Sequence, residues 1–145
     1  MNTARIALAA AAASLTLTAA QAASAAPGEH HPVPVAGPAA ATVALTNSDA
    51  GKAVVTKVGD SVKVHLTGQR GDGIKWVWSV PASSAPDVLS KVSGASSPNG
   101  DSDALFKVVH VGHASLTANR RCVTTAPGHH CPLLVQQWRV AELSR

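Results

Sequence analysis

Between Ser61 and Leu66 the side chains alternate, with Val62, Val64 and Leu66 on one face and Lys63 and His65 on the other. A period of two is the signature of a half-buried strand, with His65 turned outward to solvent. The pattern recurs along the chain. Thr42–Thr46 alternates and closes on the turn-like Asn47-Ser48-Asp49-Ala50-Gly51, and Ala53–Val58 forms a second short strand. Ile74, Trp76, Trp78 and Val80 alternate against Lys75, Val77 and Ser79 in a strand carrying two of the three tryptophans. Further downstream, Asp87–Val92 makes a short strand. Ala104–Val111 has Ala104, Phe106 and Val108 as its inner face, and the next stretch has Ala114, Leu116 and Ala118 inside. Leu133–Leu143, with Trp138 and Val140, closes the series.

Turn-forming residues separate these runs. Gly68-Gln69-Arg70-Gly71-Asp72-Gly73 combines glycines with charges and is expected to be a flexible, exposed loop. Pro81–Pro86 breaks the chain, Ser93–Ser102 is expected to be a long polar loop, and a last loop is expected from Arg120 to Pro132. No stretch of the mature chain has the apolar 3.6-residue period and the length of a helix. Seven to eight short antiparallel strands with regularly spaced turns predict an all-β, immunoglobulin-like β-sandwich. Trp76 and Trp138 are its expected core anchors.

The chain has 145 residues, room for one domain after processing. Its start has the pattern of a secretory signal: Arg5, an Ala- and Leu-rich apolar stretch over Ile6–Ala20, and small-residue cleavage patterns at Ala20-Gln21-Ala22 and Ala23-Ser24-Ala25. The rival is an uncleaved membrane anchor, but the run is short and interrupted by Ser14, Thr16 and Thr18. The expected organisation is a signal peptide over 1–25, a Pro/Ala-rich disordered leader over 26–40, and the folded domain over 41–145. Export predicts a secreted protein, extracellular or periplasmic, with no stable membrane association after cleavage. The mature domain is expected to be a monomer.

Removal of the signal takes one of twelve basic residues and none of eight acidic ones, leaving a net charge of +3. That mild excess builds no basic patch, so nucleic acid is not an expected partner. Cys122 and Cys131 are the only cysteines, and in an exported protein they are expected to form a disulfide. Closing a ring this short is worth about 2.5–3 kcal/mol by chain entropy. It either stiffens a loop whose shape matters to a partner or simply protects a long loop.

The search for catalytic groups is negative. No Gly-x-Ser-x-Gly elbow is present, the thiols are expected to be oxidised, and the eight carboxylates are expected in loops or beside turns, without a spaced pair. His30 and His31 lie in the leader; His110 and His113 flank a turn; His129 and His130 precede Cys131. None of these spacings specifies a metal site, so no metal, no cofactor and no enzymatic activity are expected. Arg70-Gly71-Asp72 spells the tripeptide that integrin ligands display on a loop, a match that Gly/Asp-rich turns also produce.

A family resemblance follows from the order of these loops. Val58-Gly59-Asp60 precedes a strand, Gly73-Ile74-Lys75-Trp76 follows a polar loop, Asn99 and Gly100 lie in a second loop, and Arg120-Arg121-Cys122 follows a Leu-Thr strand. Over about a hundred residues, Thr42 to Leu143, this resembles the chagasin family of secreted, immunoglobulin-like inhibitors of papain-like cysteine proteases. That family carries Asn-Pro-Thr-Thr-Gly-x-x-Trp in its first loop and Arg-Pro-Trp in its third. Here Gln69-Arg70-Gly71-Asp72 stands before the Gly-x-x-Trp, and only Arg120 of the third-loop signature is present. The resemblance implies a papain-like cysteine protease as partner, blocked without a covalent step by three loops. The residues it implies are Gln69, Arg70, Gly71, Asp72 and Gly73, then Asn99 and Gly100, then Arg120 and Arg121. The alternative is a non-inhibitory extracellular binding module on the same scaffold with altered loop tips.

Overall fold

The computed structural model describes Gly37 and residues 39–145. The expected signal over 1–25 and almost all of the leader over 26–40, with His30 and His31, lie outside the described residues. Among the described residues there are ten strands: β1 (Thr42–Leu45), β2 (Ala53–Thr56), β3 (Ser61–Leu66), β4 (Gln69–Gly71), β5 (Ile74–Trp78), β6 (Ala82–Ser83), β7 (Leu89–Ser96), β8 (Ser102–Val108), β9 (Gly112–Thr124) and β10 (Gln136–Ser144). One 3-10 turn, Asn47–Asp49, joins β1 to β2.

The strands form two sheets, one in the order β1-β3-β8-β7 and the other in the order β2-β10-β9-β5-β4, with β6 also on β9. This is the expected all-β, immunoglobulin-like sandwich, with two differences of detail. Two edge pairings are parallel, β1 with β3 and β2 with β10. They arise because β1 and β2, adjacent in the chain, lie in different sheets, and each joins the edge of its own sheet. Strands also number more than expected, because the glycine-rich segment and Ala82–Ser83 pair as short ladders.

The alternating positions supply the core. Val62, Val64 and Leu66 of β3 and Ala104, Phe106 and Val108 of β8 face Leu116 and Ala118 of β9 and Trp138 and Val140 of β10, all buried. Trp138 is fully enclosed and donates its indole N–H to the Thr46 carbonyl at 2.9 Å, so the ring is buried without an orphaned donor. Trp78 takes the corresponding place in β5 and donates to the Thr67 carbonyl at 2.9 Å. Trp76 is half-buried, beyond the end of this core. His65 is outward on β3 as expected, and there it meets its cross-strand partner Asp103 at 2.7 Å.

Two carboxylates expected beside turns stand in strands instead, Asp103 in β8 and Glu142 in β10. Glu142 falls on the inner face by the period of two. It is buried and accepts from the hydroxyl of Thr56 on the adjacent strand β2, whose own register partner is Ser144.

Val58-Gly59-Asp60 has a structural role. The Asp60 carboxylate accepts from the backbone N–H of Ala41 at 2.8 Å and of Lys57 at 2.9 Å, while its own carbonyl accepts from Val108. It ties the chain entering β1 to the turn before β3. These backbone donors, Ala41 first, hold its carboxyl below the ordinary carboxylate range. Asp49 is held at about 2, against an ordinary 3.8, by the Lys52 ammonium and then the Thr46 backbone N–H. A depressed carboxyl contributes stability above its unfolded pKa, and that contribution fades as the pH falls through the folded value. Melting temperature is therefore expected to fall below about pH 4. Asp60→Asn should lower it near neutrality and flatten the acid decline; an unchanged slope in that variant would remove Asp60 as a source.

Candidate functional site

The strand ends that gather at one end of the sandwich carry three connections. The first is shorter and more ordered than its composition predicts. Gln69 pairs with Trp76, Arg70 with Lys75 and Gly71 with Ile74, so β4 and β5 form a hairpin closed by Asp72 and Gly73. Both turn residues have positive φ, 40° and 72°. That is the pattern of a two-residue type I′ turn, which Asp-Gly satisfies because Asp tolerates the left-handed region and Gly has no Cβ to clash. The expected flexible loop is therefore a pinned hairpin tip.

The second connection is also shorter than expected. Ser93–Ser96 continue β7 in ladder with β8, leaving only Ser97–Asp101 as loop. Its backbone closes on itself through Gly100 N–H to the Ser97 carbonyl at 3.0 Å and Ser97 N–H to the Asp101 carbonyl at 2.9 Å. It then grips the first connection from both sides. The Asp101 carboxylate accepts from Gly68 N–H at 2.7 Å, and the Gly100 carbonyl accepts from Trp78 N–H at 3.0 Å. The Pro98 carbonyl receives both the Lys75 ammonium at 2.8 Å and the Arg70 guanidinium at 3.3 Å. Gly68 and Gly100 approach so closely that a Cβ on Gly68 would lie 2.6 Å from the Gly100 carbonyl carbon.

The third connection begins later than expected. Arg120, Arg121 and Cys122 belong to β9, which runs through to Thr124. The loop itself spans 125–135, and Leu133–Val135, expected to open the last strand, precede β10. The expected disulfide joins Cys122 to Cys131 across a Cα separation of 5.5 Å. The stapled loop leans on the hairpin tip: Thr125 and Ala126 donate to the Gly73 carbonyl at 2.8 and 3.2 Å. The His129 ring covers the space beside Gly73, where a Cβ would lie 2.5 Å from the imidazole Cγ.

Arg120 ties the first connection to the start of β10, where the third connection ends. Its guanidinium lies 5.0 Å from the centre of Trp76 and 5.6 Å from that of Trp78. It donates to the Gln69 side-chain oxygen at 3.1 Å and to that of Gln136. A planar cation stacked on two rings and bonded to two amides cannot be replaced by Lys without loss. Arg120 is thus largely consumed inside the protein, whereas Arg121, the next residue, is exposed. Asp72 is exposed at the apex, and Asn99 caps its own loop by accepting from Asp101 N–H at 3.2 Å. Arg70-Gly71-Asp72 runs through β4 into the turn, with its arginine drawn toward Pro98.

All the site residues taken from the sequence fall at this end, apart from the enclosed core anchor Trp138. The sequence reading missed Lys75, Pro98 and Gln136 as braces, and Leu133, Leu134 and Val135 as surface. Among the described residues, no group of three His, Cys, Asp or Glu side chains comes together to hold a metal ion.

The chain is thus an immunoglobulin-like sandwich with three interlocked connections at one end. No family model matches it, and no curated protein sequence does. Among solved structures, it is similar to the crystal structure of the cysteine protease inhibitor EhICP2 from Entamoeba histolytica. That similarity has a TM-score of 0.50 at 17% identity and covers 75% of this chain and 100% of that one. The solution structure of amebosin aligns with a TM-score of 0.42 at 12% identity, over 72% of this chain and 98% of that one. The chain therefore shares the fold of the Entamoeba inhibitor, and at this level the likeness agrees with the resemblance read from the sequence.

Two variants test the bracing. Gly100→Ala forces a side chain onto a residue with φ 100°, 2.6 Å from the Trp76 carbonyl oxygen. It is expected to lower stability by about 1–3 kcal/mol in urea unfolding. The pair Cys122→Ser and Cys131→Ser should lose about 2.5–3 kcal/mol and speed hydrogen exchange at the Thr125 and Ala126 amides. Retained protection at those amides would mean that the brace on Gly73 does not depend on the disulfide.

Proposed function

We propose that the chain is a secreted, monomeric inhibitor of papain-like cysteine proteases that acts by occupying the active-site cleft. Gln69–Gly73 forms the central wedge, with Ser97–Asp101 and the 120–131 segment on either side. The observation that carries this reading is the mutual bracing of the three connections. Hydrogen bonds from Thr125 and Ala126 to Gly73, from Gly68 to Asp101 and from Arg120 to Gln69 join them into one unit. A surface already ordered before binding loses little conformational entropy on association, which is what a tight competitive inhibitor needs.

The fold is shared with a cysteine protease inhibitor of Entamoeba histolytica. The narrow two-stranded hairpin suits insertion between two walls. The intramolecular disulfide suits an exported protein, with the 1–25 segment as a cleaved signal. Inhibition then depends on shape, and it should be reversible and competitive with substrate.

The test is a titration of the purified protein against a panel of papain-like proteases, with competition by a small cleft-directed substrate. Inhibition at or below micromolar concentration is expected. Deleting Asp72 and Gly73 to shorten the tip should weaken it at least about tenfold, which is about 1.4 kcal/mol. No inhibition of any panel member at micromolar concentration would refute the assignment.

A further inference from the structure

A protein interface takes most of its affinity from a few side chains buried at its centre, and exposed apolar area supplies much of what can be buried there. The hairpin tip offers no large apolar side chain. Gln69, Arg70, Gly71 and Asp72 are polar or small, so the wedge fills the cleft without bringing a large apolar side chain into it. At the same end, however, Leu133 is completely exposed, and Leu134 and Val135 are more than half exposed. Three consecutive large apolar side chains held in water are what a binding surface presents and what a monomer otherwise avoids.

Their placement is fixed from both sides. Cys131 is tied to β9 by the disulfide two residues upstream, and Gln136 is paired with Arg120 and bonded to it downstream. Among the described residues, no backbone hydrogen bond engages the N–H of Leu133, Leu134 or Val135. Val135 lines a groove of about 410 Å³ with Val77, Ser79, Ser96, Asn119 and Arg121, so the apolar segment runs into the flank of the second connection. The surroundings are cationic. Arg70, Lys75, Arg120 and Arg121 at this end outnumber its carboxylates Asp72 and Asp101.

Resting on the inhibitor reading, we propose that Leu133-Leu134-Val135 is the affinity anchor of the complex. Its partner is a papain-like protease with an apolar depression beside the cleft and carboxylates on the surrounding rim. The hairpin then obstructs the cleft while the Leu-Leu-Val segment holds the complex together. Arg70, Lys75 and Arg121 set the rate of encounter through charge attraction.

The experiment compares wild type, Leu133→Ser/Leu134→Ser, Arg121→Glu and, as a control at the far end, Val111→Ser, itself 66% exposed. Each is titrated at low and high salt against papain-like proteases chosen for acidic and for basic cleft rims. The double serine variant is expected to melt like wild type and to bind roughly 30-fold or more weakly through faster dissociation. Arg121→Glu should slow association with the acidic-rim enzymes, and Val111→Ser should change nothing. Wild-type inhibition that survives the double serine substitution overturns this inference and leaves the inhibitor reading standing. Inhibition confined to basic-rim enzymes overturns the charge assignment, and absence of wild-type inhibition removes both readings together.

Discussion

The pleat of β9 governs both halves of the molecule. Over thirteen residues, Gly112–Thr124, the strand keeps a strict period of two. Ala114, Leu116 and Ala118 are therefore buried, and Arg120 and Cys122 follow on the same side beyond the end of the core. Continuous alternation ties the two in register: a slip of one residue would expel Leu116 from the interior and turn Arg120 away from Trp76 and Trp78. Core packing thereby sets the place from which Arg120 reaches Gln69 and Gln136 and from which the disulfide springs. The end of the sandwich is an extension of the core by the same geometry, with a stacked cation in place of an apolar side chain.

Much of this was legible in the alternation itself. Val62-Val64-Leu66, Ala104-Phe106-Val108 and Ala114-Leu116-Ala118 are inward where the period of two places them, because each strand has one wet face. Four features were not. Ser93–Ser96 carries no apolar signal, yet it is strand because β8 offers a ladder to its backbone groups. Leu133–Val135 carries a strong apolar signal, yet it lies outside the strand because pairing begins at Gln136 opposite Arg120. The parallel edges are a property of which sheet each strand joins, and that choice is tertiary. The Gly68–Gly73 stretch looked flexible by composition because a type I′ turn and a disordered loop draw on the same residues; only the ladder between Gln69–Gly71 and Ile74–Trp76 distinguishes them.

The charges at the site divide in the same way. Composition marks Arg70, Lys75, Arg120 and Arg121 as alike, but geometry gives them different surroundings. Arg120 is spent on two rings and two amides, and Lys75 and Arg70 share one carbonyl of the neighbouring loop. Arg121 and Asp72 remain turned to water. On these connections the basic side chains Arg70, Lys75, Arg120 and Arg121 outnumber Asp72 and Asp101, and most of them are held by short-range bonds that maintain shape.

The glycine contacts at this end carry an evolutionary consequence. Gly68, Gly73 and Gly100 stand where any side chain would strike a neighbour, while Asp72, Arg121, Leu133 and Leu134 point into open solvent. Substitutions are therefore cheap at the outward positions Arg121, Leu133 and Leu134, confined at Asp72 to residues that accept its φ of 40°, and expensive at the glycines that hold these positions in place. A lineage carrying this scaffold can exchange one target for another by changing a few outward residues, with almost no toll on folding.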